Sequence, residues 1–269
     1  MRGALAAPLS YFKVVSSRLI GKEDSMSEEN KPQERPRRAP AKVIPKEPGI
    51  WPVPGMRKII AKRLTSSMQE SPHFYVATDI DMAPARALRE TRKAEGIKVT
   101  YNDIILKATG MALREHPHVN SYFKGDEVEV LEQCNVGMAV ALDDGLTVPV
   151  IREADVKTLA QISEEAASLA ARAREGKLQL AELQGGGITV SNLGMFDVDI
   201  FTAIINPPQS SILAISSIKK VPVVVDDEVQ VGLRMKVTLS SDHRMIDGVL
   251  AARFLMTFKD LVQNPDKLL

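Results

Sequence analysis

The sequence predicts one α+β domain running from about Trp51 to the C-terminus. Three observations carry that expectation. Segments with apolar residues at helical spacing lie among shorter alternating segments of strand character. Hydrophobic residues make up 44% of the 269, enough to fill a sizeable core. The first 50 residues differ in composition from everything after them.

Residues 56–69 place Ile59, Ile60, Arg63, Leu64 and Met68 at helical spacing. Residues 73–82 alternate, with Phe74, Val76 and Ile80 on one face of a strand. Pro84 suits the first turn of a helix that reaches about Ala94. Thr100-Tyr101-Asn102-Asp103 reads as a capping box with Asp in the usual Glu place. It opens a helix that stops before Pro117, since the residue before a proline disfavours helical backbone. Strands are expected near 128–131, 136–142 and 147–151, then an Ala-rich helix over 159–174. Further strands are expected at 188–191, 211–215 and 230–239, and a helix over 248–262 closes the chain.

Composition excludes several classes. A net charge of +1 makes no case for nucleic acid or an anionic surface. No run of 18 apolar residues suggests a membrane span. The one cysteine, Cys134, permits neither an intrachain disulfide nor a Cys-based metal site, and fits a reducing compartment. Of four histidines, only His116 and His118 are close in sequence, flanking Pro117 at a helix end, so no metal site is expected.

Residues 1–50 read as a disordered extension and linker, and residues 51–269 as the folded domain. The first 22 residues carry Arg2, Lys13, Arg18 and Lys22 with no acid before Glu23, which resembles a weak transit peptide. The preferred reading is that Met26 is the true start and the residues before it a mis-called or disordered extension. Residues 25–49 are charged and hold five prolines, and so bury too little apolar surface to offset their ordering entropy.

The sharpest local feature is Ser240-Ser241-Asp242-His243-Arg244-Met245-Ile246-Asp247-Gly248. An apolar strand runs into it and an apolar helix runs out. His243 is therefore delivered to the edge of the core, and Asp247 falls at the N-cap of the helix. By themselves these residues read as a boundary histidine and a capping aspartate, with catalysis the alternative.

Other segments shift that balance. Residues 186–196 (GGITVSNLGMF), 205–213 (INPPQSSIL) and 239–248 together resemble the catalytic domain of the dihydrolipoamide acyltransferase component of 2-oxo acid dehydrogenase complexes. Residues 56–64 (MRKIIAKRL) match that family's opening helix, and 143–151 (DDGLTVPVI) its central strand pair. The resemblance runs from about Pro54 to the C-terminus. It implies a chloramphenicol acetyltransferase-like two-layer sandwich, a mixed sheet with flanking helices, built into trimers whose active sites lie between subunits. It implies that His243 is the general base, that Asp247 is the aspartate of the same motif, and that Ser191 stabilises the oxyanion, facing the histidine of a neighbouring subunit. One arginine of the first helix pairs with the motif aspartate in the acetyltransferase relatives; Arg57 and Arg63 both fit, and Arg57 is preferred. Asp197 stands where many members have glycine.

The chemistry suits those residue types. The reaction moves an acyl group between two thiols. A thiol with a reference pKa of about 8.5 is mostly protonated at neutral pH, and the thiolate is the nucleophile. A neutral imidazole takes that proton, and a fixed hydroxyl donates to the oxygen on which charge develops. Coenzyme A is then a substrate, and no metal is required.

The resemblance also implies a lipoyl domain and a small helical subunit-binding domain ahead of the core. The residues before Trp51 are too few and too polar for a lipoyl domain and hold no Asp-Lys-Ala site. The lipoyl group is therefore expected from another chain, or the sequence is a truncation. Expected partners are further copies, as a homotrimer or a larger cubic or icosahedral core, a separate lipoyl-bearing protein, and 2-oxo acid dehydrogenase and dihydrolipoamide dehydrogenase subunits. The expected location is the cytoplasm, with the mitochondrial matrix as the alternative. Two other functions stay open: a stand-alone coenzyme A-dependent acyltransferase acting on a small molecule, and a non-catalytic core subunit. Intact His243, Asp247 and Ser191 count against the last.

Some features carry less. Gly185–Gly187 lack the following Lys-Ser/Thr of a phosphate loop and read as a turn into a strand. Cys134 has no histidine close in sequence and is not expected to be a nucleophile. Met195 and Phe196 read as packing or as a wall of a pantetheine channel. Arg172, Arg174 and Lys177 read as a solvated helix face.

Overall fold

The computed structural model describes residues 47–143 and 145–269. The expectations for residues 1–46 lie outside the described residues. The folded part is α+β, as the residue pattern predicts, and it is ordered around one mixed sheet.

Helix α1 (Gly55–Glu70) leads into strand β1 (His73–Asp81), helix α2 (Ala83–Ala94) and helix α3 (Tyr101–Glu115). Short strands β2 (Ser121–Phe123), β3 (Val128–Val130), β4 (Val136–Met138), β5 (Val140–Leu142), β6 (Gly145–Thr147) and β7 (Val150–Ile151) follow. Helix α4 (Leu159–Arg174), strand β8 (Ile188–Asn192), two long strands β9 (Ser211–Val225) and β10 (Glu228–Asp242), and helix α5 (Gly248–Gln263) complete the order. The main sheet runs β1-β10-β9-β8-β4-β7, with β8 parallel to β4 and β9 and the other pairings antiparallel.

The registers explain why the sheet has two different faces. Val76, Leu239, Leu213, Val190 and Met138 are aligned across five strands. This row belongs to the core, on which α3 and α5 pack through Ile104, Ile105, Phe254 and Phe258. The adjacent rows present the other face. There Ser240 pairs with Ile212, which pairs with Thr189, and Thr238 pairs with Ala214, which pairs with Ser191. Period-two alternation thus separates an apolar face from a hydroxyl-rich one.

The expected capping box forms. The Thr100 hydroxyl accepts from the Asp103 N–H while the Asp103 carboxylate accepts from the Thr100 N–H, and Thr158 with Gln161 repeats the arrangement at α4. At the Gly185–Gly187 turn, Gly185 has φ +77° and a Cβ on Gly187 would meet the Asn120 side chain at 1.7 Å. Only glycine fits there, as a backbone approach rather than a phosphate cradle.

Three expectations about elements need correction. Strands β9 and β10 extend well past the predicted ends and form a two-stranded ribbon turning at Asp226 and Asp227, both with positive φ. The outer arm of β9 holds Pro222 and the run Val223-Val224-Val225, which breaks strand alternation and hides its length. The predicted strand over 136–142 splits at Ala139, whose N–H donates to Val190 O, so that β4 stays in the main sheet while β5 pairs with β6. Helix α1 exists, but its apolar stripe does not enter the core. Met56, Ile59 and Met68 are 56%, 58% and 49% exposed, and only Ser67 is buried.

Candidate active site

Strand β10 carries the site's first half. Asp242 ends the strand fully buried and donates its N–H to Ser210 O at 2.8 Å, while its own carbonyl accepts from Met245 and Ile246. The chain therefore turns sharply at residues 242–246. Arg244 folds back on Asp242, donating Nη2 to Oδ2 at 2.6 Å and Nε to Oδ1 at 3.0 Å. Its guanidinium also lies 4.0 Å from the centre of the Phe123 ring. Burial acts to raise the Asp242 carboxyl, but the side-chain and backbone hydrogen bonds from Arg244, with one from Ser71, hold it below the usual carboxylate range. This ion pair, with Asp242 buried and Arg244 at the surface, closes the turn on which His243 stands.

His243 is exposed. Its backbone N–H donates to Pro72 O at 2.9 Å, and Phe74 props its ring edge-on at 4.8 Å between centroids. A turn fixed at its backbone thus presents an imidazole to the outside. Asp247 caps α5, its Oδ1 accepting from the Leu250 N–H at 2.8 Å. We expect Asp247→Ala to lower stability by about 0.5–2 kcal/mol, the ordinary loss of an N-cap, while Asp247→Asn keeps most of the cap. Equilibrium denaturation of the two variants checks this; equal losses in both would show that the charge, not the cap, is what α5 needs.

Strand β8 carries the second half. Ser191 is half-buried on the hydroxyl-rich face, beside Ala214 of β9, and lines a cleft of about 660 Å³. Met195 and Phe196 form one wall of the cleft, Met138, Val140 and Leu146 another, and the small side chains of α4, among them Ala160, Ala167 and Ala170, a third. Lys98, Asp103, Glu164 and Arg174 supply its charge, so Arg174 contributes to the cleft as well as to the helix surface. Asn192 steadies this end. It donates to Asn102 Oδ1 at 3.1 Å and accepts the Gly194 N–H at 2.9 Å, which sets the turn that carries Met195 and Phe196. Asp197 ends that turn at φ +56°, a left-handed conformation that glycine enters freely and aspartate tolerates, and it pairs with Lys219 at 3.0 Å.

The two halves do not meet within one chain. Ser191 aligns with Ala214, Ala214 with Thr238, and His243 lies five residues beyond Thr238. At ~4.8 Å between strands and ~3.4 Å per residue, the two are roughly 20 Å apart. His243 does not line the cleft that Ser191 lines.

Other candidates are placed as follows. Arg57 is exposed near the start of α1. Arg63 turns to the 206–207 segment instead, donating to Pro207 O at 2.8 Å. Cys134 is buried, and burial together with nearby Asp155 pushes its thiol up to about 11, so it is not a ready nucleophile. His116 bonds Thr257 at 2.8 Å. Among the described residues, no group of three His, Cys, Asp or Glu side chains is arranged to hold a metal ion, and no helix is long and apolar enough to cross a membrane.

Residue-type reasoning missed His73, which joins the loop at Ile205 to the start of β1, and Gln209, whose Oε1 accepts from Thr189 Oγ1 at 2.5 Å in the interior. The one signal for Gln209 was its place in the Asn-Pro-Pro-Gln string; His73 gave none, since a histidine at a strand start is unremarkable.

The mixed sheet with its flanking helices defines a chloramphenicol acetyltransferase-like fold. Chloramphenicol acetyltransferase shares the fold at a TM-score of 0.50 and 15% identity, over 75% of this chain and 94% of that one. Residues 45–269 match the family described as 2-oxoacid dehydrogenases acyltransferase (catalytic domain), and the chain belongs to that family. The dihydrolipoyllysine-residue acetyltransferase component of the pyruvate dehydrogenase complex from Zymomonas mobilis is 44% identical over 78% of this chain and 49% of its own length. The mitochondrial counterpart from Schizosaccharomyces pombe is 45% identical over 80% and 46%. This chain thus spans about half the length of the relatives it matches. Azotobacter vinelandii dihydrolipoamide acetyltransferase, solved to investigate a serine, a histidine and an asparagine in its mechanism, gives a TM-score of 0.78 at 35% identity, covering 84% of this chain and 99% of that one. The cubic core of a pyruvate dehydrogenase multienzyme complex gives the same values.

Proposed function

We propose that residues 51–269 are the catalytic domain of an acyltransferase that moves an acyl group between dihydrolipoamide and coenzyme A, at sites shared between neighbouring subunits. One observation carries this reading: His243 stands exposed on a turn held by the Asp242–Arg244 pair and by Pro72, in a chain of this family. The serine, histidine and asparagine studied in the Azotobacter protein have the same sequence separations as Ser191, His243 and Asp247. An asparagine in place of Asp247 would keep the helix cap and lose the charge, which fits a structural role for that position.

The steps follow from these groups. His243 takes the proton of the coenzyme A thiol, and the thiolate attacks the thioester carbonyl of the acyl-lipoyl group. Charge gathers on the carbonyl oxygen, and the Ser191 hydroxyl of an adjoining subunit donates to it. The tetrahedral adduct then expels the lipoyl sulfur, which takes the proton back from His243. Reversal uses the same groups. The cleft beside Ser191 suits a long thin thiol arm, being apolar in its walls, with two cations (Lys98, Arg174) and two carboxylates (Asp103, Glu164) around it. Arg57 is proposed to support the Asp247 position through an ion pair.

Two observations support assembly into trimers and larger cores. Ser191 and His243 are too far apart in one chain to share a carbonyl, and α1 leaves Met56, Ile59 and Met68 uncovered. The lipoyl group is proposed to come from a separate lipoyl-bearing chain. Partners of the 2-oxo acid dehydrogenase and dihydrolipoamide dehydrogenase classes would complete the cycle, in the cytoplasm or the mitochondrial matrix. Assaying the protein with acetyl-, isobutyryl- and succinyl-coenzyme A against free dihydrolipoamide tests the reading. Transfer with at least one acyl donor is expected. No thioester exchange with any of the three, from protein that sediments as a trimer or larger, would refute it.

A further inference from the structure

We propose that His73 is a positioning residue for this reaction: its neutral imidazole joins the segment leading away from Ser191 to the backbone that holds His243. The inference rests on the transfer reading above, but its geometry does not.

The tautomer follows from the partners. Nδ1 lies 2.7 Å from the carbonyl oxygen of Ser71, which only accepts, so Nδ1 carries the proton. Nε2 lies 3.0 Å from the amide nitrogen of Ile205, which only donates, so Nε2 offers its lone pair. No other protonation state satisfies both contacts. An imidazolium would set one N–H against another.

Ile205 belongs to the stretch that connects Ser191 on β8 to the start of β9. From Val198 to Asn206 that stretch has no helix or strand. Its backbone is held at Ile205 from both sides. His73 takes the N–H, the Ser67 hydroxyl donates to the carbonyl at 2.7 Å, and the side chain is fully buried. Arg63 then fixes the next turn through Pro207 O. On its other side His73 adjoins the His243 turn. Pro72 accepts the His243 N–H at 2.9 Å, and Ser71 Oγ accepts from Arg244 at 3.3 Å. One side chain therefore stands between the segment that descends from the oxyanion serine and the carbonyl that sets the base. Where the two residues of one chain serve different sites, this joint sets half of each. Misplacement of a reacting group by ~1 Å can cost on the order of 10²-fold in rate.

The test compares two variants of the full, assembled chain. His73→Phe keeps a ring and removes the acceptor; His73→Gln restores an acceptor to Ile205. His73→Phe should lower kcat roughly 10-fold or more with KM for coenzyme A and dihydrolipoamide within about twofold, and His73→Gln should recover most of that loss. Hydrogen exchange provides a readout that needs no activity: the Ile205 and His243 amides should both exchange faster in His73→Phe and both recover in His73→Gln. Should His73→Phe fail to fold, near-wild-type kcat and exchange in His73→Gln are still required. Faster exchange at Ile205 alone, with kcat unchanged, would overturn the proposal and leave His73 a local brace. A wild-type protein inactive in transfer would refute the proposed function, while the paired exchange result would still decide the joint.

Discussion

Replacing His243 with alanine is expected to lower turnover by about 10²–10⁴-fold while the fold and assembly persist. The size is that of a positioned general base. The fold should survive because the side chain is exposed and its main contact is the edge-on ring of Phe74. What shapes the turn is the pair of Arg244 with buried Asp242 and the backbone bond to Pro72, neither of which uses the imidazole. The loss should appear in kcat more than in KM, since proton removal belongs to the transition state. Steady-state kinetics with acetyl-coenzyme A and dihydrolipoamide, on protein of unchanged sedimentation, checks it. Turnover within twofold of wild type would remove His243 from the mechanism.

Replacing Ser191 with alanine is expected to cost about 10²–10³ in kcat, the usual effect of removing one oxyanion donor. The stronger form of the experiment co-expresses Ser191→Ala with His243→Ala. If a site takes its serine and its histidine from different subunits, random mixing leaves about a quarter of the sites with both groups intact. Activity should then return to roughly that share of wild type, from two inactive parents. If both groups served one site from the same chain, mixing would restore nothing. The two outcomes differ by orders of magnitude, so modest errors in subunit ratio do not blur them. The roughly 20 Å between the residues along the sheet predicts recovery.

Much of the architecture was legible in the residues. The capping box at Thr100 and Asp103, the proline that stops the helix at His116, and the alternation in β1 are short-range signals that tertiary packing did not reverse. Asp247 as an N-cap followed from its place between a strand and an apolar helix. The full β9–β10 ribbon was not legible, because the outer arm of β9 breaks alternation at Lys219-Lys220 and Val223-Val224-Val225 and holds Pro222, and its length is set by pairing with β10. Nor was the exposure of α1, where helical spacing promised a buried stripe and the chain's own core offers no surface to cover it.

The candidate site divides in the same way. Which residue types stand at positions 191, 243 and 247, and the strand and helix that carry them, were set by local pattern and by likeness to a family. The sequence by itself determined the family likeness and a histidine at a strand end. Only the tertiary structure decided that Ser191 and His243 lie roughly 20 Å apart along the sheet, that Arg63 is committed to Pro207, and that His73 accepts the Ile205 N–H. Helical and strand periods are properties of a few neighbouring residues, so they can be read along the chain. Distances across a sheet depend on strand order and register, which are settled by contacts between residues far beyond the reach of a helical or strand period, and no local pattern records them.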